Sequence, residues 1–158
     1  EKYLNLFKDK LPFIAMRMFN VYGPGQDLIN LKQGMVSIYL AQAIKNKNII
    51  VKGSLSRFRD FIYIDDVVDA WFNAFKNDNA TNNAINIGSG NKTTVEQLLY
   101  KIMKITETRE FKVIEGTPCD QQGIYSDNRK AKDLLKMNNI LSLENGIKKF
   151  YNWAIKYN

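Results

Sequence analysis

The sequence predicts an α/β fold of mixed helices and short strands, and three observations carry that expectation. Apolar runs of strand length alternate with stretches whose apolar residues recur at helical spacing. Glycines and prolines punctuate the gaps between these runs. The 158 residues are 45% hydrophobic and 25% charged, the balance of one ordinary globular domain able to bury a core without staples.

The elements are read in order. Residues 1–10 are the end of a helix, with Tyr3, Leu4 and Phe7 on one face and Pro12 stopping it. FIAMRMF at 13–19 is a buried strand, and residues 20–32, with Gly23, Pro24 and Gly25, form a loop. Residues 33–45 are a helix with Val36, Leu40 and Ala43 on one side and Tyr39 beside them. Strands follow at 49–51 and from Arg59 to Ile64. Asp65 opens a helix to about residue 76, with an apolar face of Val67, Val68, Trp71, Phe72 and Phe75. AINI at 84–87 is a strand ended by Gly88 and Gly90. Thr93 with Glu96 reads as a capping box for a helix buried through Val95, Leu98, Leu99 and Ile102. FKVIE at 111–115 is a strand, and helices at 128–136 and 143–156 close the chain.

Absences exclude several chemistries. The sequence contains no histidine, so a Ser-His-Asp or Cys-His mechanism and a His-ligated metal site are impossible within it. The single cysteine, Cys119, allows no intrachain disulfide and fits a reducing, cytoplasmic setting. Neither a signal peptide nor an apolar run near the roughly 18 residues of a membrane span is visible. The net charge of +7 is compatible with an anionic partner, but the lysines are spread and no block of five like charges occurs. A membrane or nucleic-acid partner is therefore not expected. The first residue is Glu1, not an initiator Met, which points to an upstream part.

Four segments carry candidate chemistry. Gly88-Ser89-Gly90-Asn91-Lys92-Thr93 follows a strand and precedes a helix, but Asn91 separates the last Gly from the Lys that a phosphate loop needs. Thr93 stands at the third glycine of a dinucleotide fingerprint, so a plain strand-turn-helix corner is expected. In Arg57-Phe58-Arg59-Asp60, strand alternation puts Arg57 and Arg59 on one face and Phe58 and Asp60 on the other. Two guanidinium forks at a strand entrance suit a diphosphate, and the alternative is two exposed arginines paired with acids. Asp65, Asp66 and Asp69 are read as an N-cap and first-turn charges in preference to a metal site. Asn20, in the turn that runs to Gln26, offers a donor and an acceptor at a strand end, where α/β folds place ligands.

Together these segments resemble the extended short-chain dehydrogenase/reductase family, in particular UDP-glucose 4-epimerase and related nucleotide-sugar enzymes. Arg17-Met18-Phe19-Asn20-Val21-Tyr22-Gly23-Pro24-Gly25-Gln26 resembles the segment after the family's last cofactor-side strand. Gly53 and then Arg59 to Val68 resemble its substrate-domain signature, and Asn86 to Gly90 the next turn. Asp120, then Asp127 with Lys130 to Leu135, resemble the late substrate loop and the helix after it.

The resemblance implies a single domain over 1–158. Residues 1 to about 25 end a Rossmann half, and the rest is a C-terminal nucleotide-sugar-binding domain of an extended NAD(P)-binding Rossmann-fold enzyme. It implies a nucleotide-sugar ligand, UDP-sugar foremost, and NAD as cofactor. It also places the glycine-rich NAD loop and the Tyr-x-x-x-Lys pair upstream of Glu1, and makes the intact enzyme a homodimer. By position, Phe19 lies by the nicotinamide and Asn20 by the substrate. Backbone groups of Gln33, Gly34, Met35 and Val36 face the nucleotide, Lys52 covers the base, Arg59 holds the diphosphate and Asp120 the ribose. One departure matters: Thr117-Pro118-Cys119-Asp120 lacks the arginine that many members carry just before that aspartate, so Arg57 is a candidate to supply it. The implied function is that of an epimerase part inactive on its own. A sugar-nucleotide 4,6-dehydratase, decarboxylase or reductase is the alternative within the family, and a basic nucleic-acid-binding or non-catalytic regulatory module the alternative outside it.

Overall fold

The structure, a computed structural model, describes residues 1–32, 34–116, 118 and 120–157. Its architecture is the mixed α/β arrangement read from the sequence, but the strands form small pairs that exchange partners along the chain.

The first exchange occurs at Phe19. Strand β1 (Ile14–Met18) runs parallel to β6 (Asn83–Ile87), with Ile14 opposite Asn83 and Met18 opposite Ile87. The Phe19 amide still donates to the Ile87 carbonyl at 3.0 Å. One residue later the Asn20 amide donates to the Asp60 carbonyl at 3.1 Å, and β2 (Asn20–Tyr22) pairs in parallel with β5 (Phe61–Tyr63). The loop expected over 20–32 therefore begins only after a second short strand. Its apolar Val21 and Tyr22 are bound into the ladder, a tertiary pairing that overrides the turn signal of the glycines.

The run from Arg59 to Ile64 is likewise broken. Strand β4 (Phe58–Arg59) is antiparallel to β7 (Thr93–Thr94), Asp60 is the turning point, and β5 takes over beside β2. Strand β3 (Asn48–Lys52) pairs in parallel with β8 (Glu110–Ile114), and the end of this pair is drawn tight. The Gly53 amide donates to the Ile114 carbonyl at 2.9 Å, and a Cβ on Gly116 would sit 2.9 Å from the Gly53 Cα.

Helices cover these pairs. Helix α2 (Met35–Asn46) packs Val36, Tyr39, Leu40 and Ala43 into one cluster with α4 (Val95–Thr106) and α6 (Leu143–Tyr157), over Ile49 and Val51 of β3. Helix α3 (Ile64–Phe75) and α5 (Arg129–Leu135) form a second cluster on β6, built on Ile62, Val67, Ala70, Ala74, Ile85 and Ile87. Helix α1 covers only Lys2–Leu6 and ends at its C-cap Phe7, not at Pro12 as expected; Tyr3 and Phe7 are exposed, and an ion pair between Glu1 and Arg17 ties the segment to β1.

Three local expectations are corrected. The N-cap of α3 is Tyr63, without a side-chain cap, because β5 runs straight into the helix; Asp65 and Asp66 lie inside the first turn. The capping box of α4 is Thr94 with Gln97, one residue beyond Thr93 and Glu96, since β7 ends on Thr94 and the helix starts directly after it. The apolar stripe of α3 is not wholly core: Val67 is buried, whereas Val68, Trp71, Phe72 and Phe75 are exposed, Phe75 to 89%. Ala70 and Ala74 make the inward contacts because their small side chains let α3 lie close to the sheet.

Candidate functional site

The site grows from the end of the β3–β8 pair. The loop from Gly53 to Arg57 leaves β3, and residues 120–123, which follow β8 in the chain, lie beside it. Phe58 is the seam: its amide donates to the Gln122 carbonyl at 3.0 Å, and it bridges to Gly123. A Cβ on Gly123 would lie 2.6 Å from the Phe58 ring, so only glycine allows this approach. Lys92 covers the same ring at 4.0 Å from its centroid.

Alternation then does what the sequence predicts. Arg57 and Arg59 both reach Asp120, while Asp60 turns the other way. Arg57 is only 8% exposed. Its guanidinium donates to the Asp120 carboxylate and the Lys52 carbonyl, and its Nε to the Ser54 carbonyl at 3.1 Å. Arg59 donates through Nη1 to the carbonyls of Phe58 and Gln121, at 2.8 and 3.2 Å, and its Nη2 lies 3.7 Å from Asp120 Oδ1. Burial lowers the pKa of the Arg59 guanidinium, and the adjacent Arg57 charge lowers it further. Two cations thus share one carboxylate, and the cluster keeps a net positive charge.

The structure gathers some of the expected residues and not others. Lys52 joins the cluster through its backbone, with its side chain in solvent. Asn20 enters indirectly, its side-chain amide donating to the Asp60 carbonyl at 2.9 Å. Phe19 is half-buried at the β1–β2 junction. Met35 opens α2 after Gly34, whose φ of 86° is a glycine conformation, and the side chain of Val36 is buried in the core. Tyr39, one turn on, lies within the field of Arg57: that charge opposes the burial that raises the phenol's pKa. Gln33, Thr117 and Cys119 lie outside the described residues.

Sequence reasoning missed the role of Asp60. It is fully buried, and its carboxylate accepts from the amides of Ser89, Gly90 and Ser126 at 2.8, 3.0 and 3.0 Å. The hydroxyls of Ser89 and Ser126 add bonds of 2.6 and 2.5 Å. An acid directly before the apolar run Phe61-Ile62-Tyr63 was the available signal. This arrangement also explains the Gly88-Ser89-Gly90 corner. Its amides form an anion nest that Asp60 already fills, so they are not offered to a cofactor pyrophosphate. At this corner the amides of Ser89 and Gly90 are therefore already bonded within the protein. Among the described residues there is no group of three or more acids, cysteines or histidines able to hold a metal, and no helix long and apolar enough to cross a membrane. Asp66 instead accepts from the Leu141 amide at 3.2 Å.

Residues 3–88 match the model of the NAD dependent epimerase/dehydratase family. The chain belongs to this family. As a member of it, the chain is 31% identical over 133 residues to UDP-glucuronic acid decarboxylase 5 of Arabidopsis thaliana, covering 83% of this chain and 38% of that protein. It is 30% identical over 152 residues to dTDP-4-dehydro-6-deoxyglucose reductase of Escherichia coli, covering 94% and 48%. Among solved structures, UDP-glucose 4-epimerase from Thermotoga maritima, crystallised with UDP-glucose, superposes with a TM-score of 0.90. That pair is 32% identical, and the match covers 98% of this chain and 50% of the other. The chain spans about half the length, or less, of the curated relatives it matches.

Proposed function

We propose that this chain is the nucleotide-sugar-binding portion of an NAD-dependent sugar-nucleotide epimerase, similar to UDP-glucose 4-epimerase. The observation that carries the reading is the convergence of Arg57 and Arg59 on Asp120 at the mouth of the β3–β8 pair. Its excess positive charge suits a diphosphate, and an adjacent carboxylate suits ribose hydroxyls. Arg59 would turn its fork to the diphosphate and Asp120 would accept from the ribose. Lys52 would lay its methylene stem over the base. Asn20, Gln33 and the first residues of α2, Met35 and Val36, would line the sugar and nucleotide. Holding the sugar rigidly in this way is how binding residues contribute to rate. A decarboxylase or reductase of the same family is the second reading, favoured by the two relatives at 31% and 30% identity.

Chemistry is assigned to an upstream part, together with the glycine-rich loop for NAD and the Tyr/Lys pair; Phe19 would form only a wall beside the nicotinamide. The same reading gives the exposed apolar face a purpose. Among the described residues β1 pairs on one edge alone, and Met18, Trp71, Phe72 and Phe75 face solvent near it or on α3. The upstream cofactor half would cover them, much as inter-domain faces do. Titration with UDP and, separately, with NAD tests the proposal. UDP binds and NAD does not, and the chain turns over no UDP-sugar above a blank. NAD binding or turnover by the chain alone overturns it.

A further inference from the structure

We propose that Arg57 is a positioning residue, the built-in counter-ion of Asp120, and that it keeps the charge of Arg59 available to a nucleoside diphosphate. The inference rests on the nucleotide-sugar reading and deepens it.

The sequence made Arg57 a candidate to contact the diphosphate directly. Its geometry assigns a different task. All three guanidinium nitrogens are already used, on Asp120, Lys52 and Ser54, and the side chain is buried. Three of its five N–H groups are bonded within the protein, one from each nitrogen, and these bonds fix the buried fork on Asp120 and the two carbonyls. The place is built for it: Gly53, with φ of 78°, lies under the guanidinium, and a Cβ there would meet Arg57 Cζ at 3.1 Å. Tyr39 adds a buried ring within reach of its charge.

Arg59 is the complement. Only one of its terminal nitrogens donates to main-chain carbonyls, and the other stands 3.7 Å from Asp120, at the outer limit of an ion pair. Asp120 is thus bonded to Arg57 and merely near Arg59. An acid beside a diphosphate site is a liability, because it repels the ligand and competes for the anchoring cation. Arg57 removes both problems while leaving the carboxylate oriented to accept hydrogen bonds. Without it, Asp120 would close on Arg59 and neutralise the anchor.

Calorimetric titration with UDP and with uridine tests this in the wild type, Arg57→Gln, Asp120→Asn and the double variant. Arg57→Gln is expected to weaken UDP by at least about tenfold and uridine by less than about threefold. Adding Asp120→Asn, which removes the competing charge, restores UDP to within about threefold of the Asp120→Asn single variant. A purely structural role for Arg57 would lower both ligands together, and the uridine arm excludes it. If Arg57→Gln binds UDP within about twofold of wild type, or the double variant stays as weak as Arg57→Gln, the counter-ion role is wrong while the nucleotide site stands. Should Arg57→Gln fail to fold, Arg57→Lys carries the test: charge without the fork preserves the preference for UDP over uridine, and loss of that preference overturns the proposal. A wild-type chain that binds no UDP overturns this inference and the reading beneath it together.

Discussion

The carboxylate of Asp60 accepts a 2.5 Å hydrogen bond from the hydroxyl of Ser126, across 66 residues of sequence. Through the same carboxylate, Ser89 and Gly90 are fastened to the junction of β4 and β5. Three remote segments meet on one buried charge, and Arg59, the residue just before it, is held in place as a result. Asp60→Ala leaves a group of buried donors without their acceptor. It is expected to cost about 3–5 kcal/mol of unfolding free energy, read from the urea midpoint. A loss below about 1 kcal/mol would mean that the carboxylate is not the hub described here.

The capping box gives a sharp local test. Thr94 accepts from the Gln97 amide at 3.1 Å, and Gln97 accepts in return from the Thr94 amide at 2.9 Å. Thr94→Ala should lower stability by about 1 kcal/mol. Thr93→Ala and Glu96→Ala, the neighbouring frame, should each cost less than about half of that.

Asp127 supplies a pH dependence. Its hydrogen bonds from the Arg129 side chain and amide hold its carboxyl at about 2, below the ordinary 3.8. A carboxyl whose pKa is depressed on folding stabilises the native state above its unfolded pKa. That contribution is lost as pH falls from near 3.8 toward about 2. The pair is exposed, so the effect is small and should shrink further in high salt. Asp127→Asn should flatten this part of the stability profile, and an unchanged slope below pH 4 would contradict the assignment.

The exposed face of α3 predicts behaviour in solution. A hydrophobic dye should bind the chain, and Phe75→Ser should weaken that binding while changing stability by less than about 0.5 kcal/mol. Phe75 is 89% exposed, so its replacement removes surface and not packing. Equal dye binding by wild type and Phe75→Ser would place the apolar patch elsewhere.

Much of this architecture was legible because local pattern and tertiary role coincide. Ile14 to Met18 form a strand as read, although it is not the buried strand expected, since none of its residues is buried and Met18 is exposed; Val36, Tyr39, Leu40 and Ala43 share a buried helix face as their spacing requires. The errors fall where a partner decides the outcome. Nothing local in Phe19-Asn20 marks the hop from β6 to β5. The stripe on α3 was read correctly as apolar, but spacing cannot say whether such a stripe meets its own core. Thr93 and Thr94 fit two overlapping capping frames, and only the end of β7 selects one. In the site, alternation brought Arg57 and Arg59 to one face, whereas the partners of Asp60 lie 29 to 66 residues away and leave no local trace.

A diphosphate site built on Arg59, with Asp120 and Arg57 around it, is decided by calorimetric titration of wild type and Arg59→Ala with UDP and uridine. Removing the anchoring cation should cost about 2–5 kcal/mol toward UDP, tens- to thousands-fold in affinity, and leave uridine nearly unaffected. UDP binding by Arg59→Ala within about twofold of wild type would put the anchor elsewhere and contradict this placement of the nucleotide.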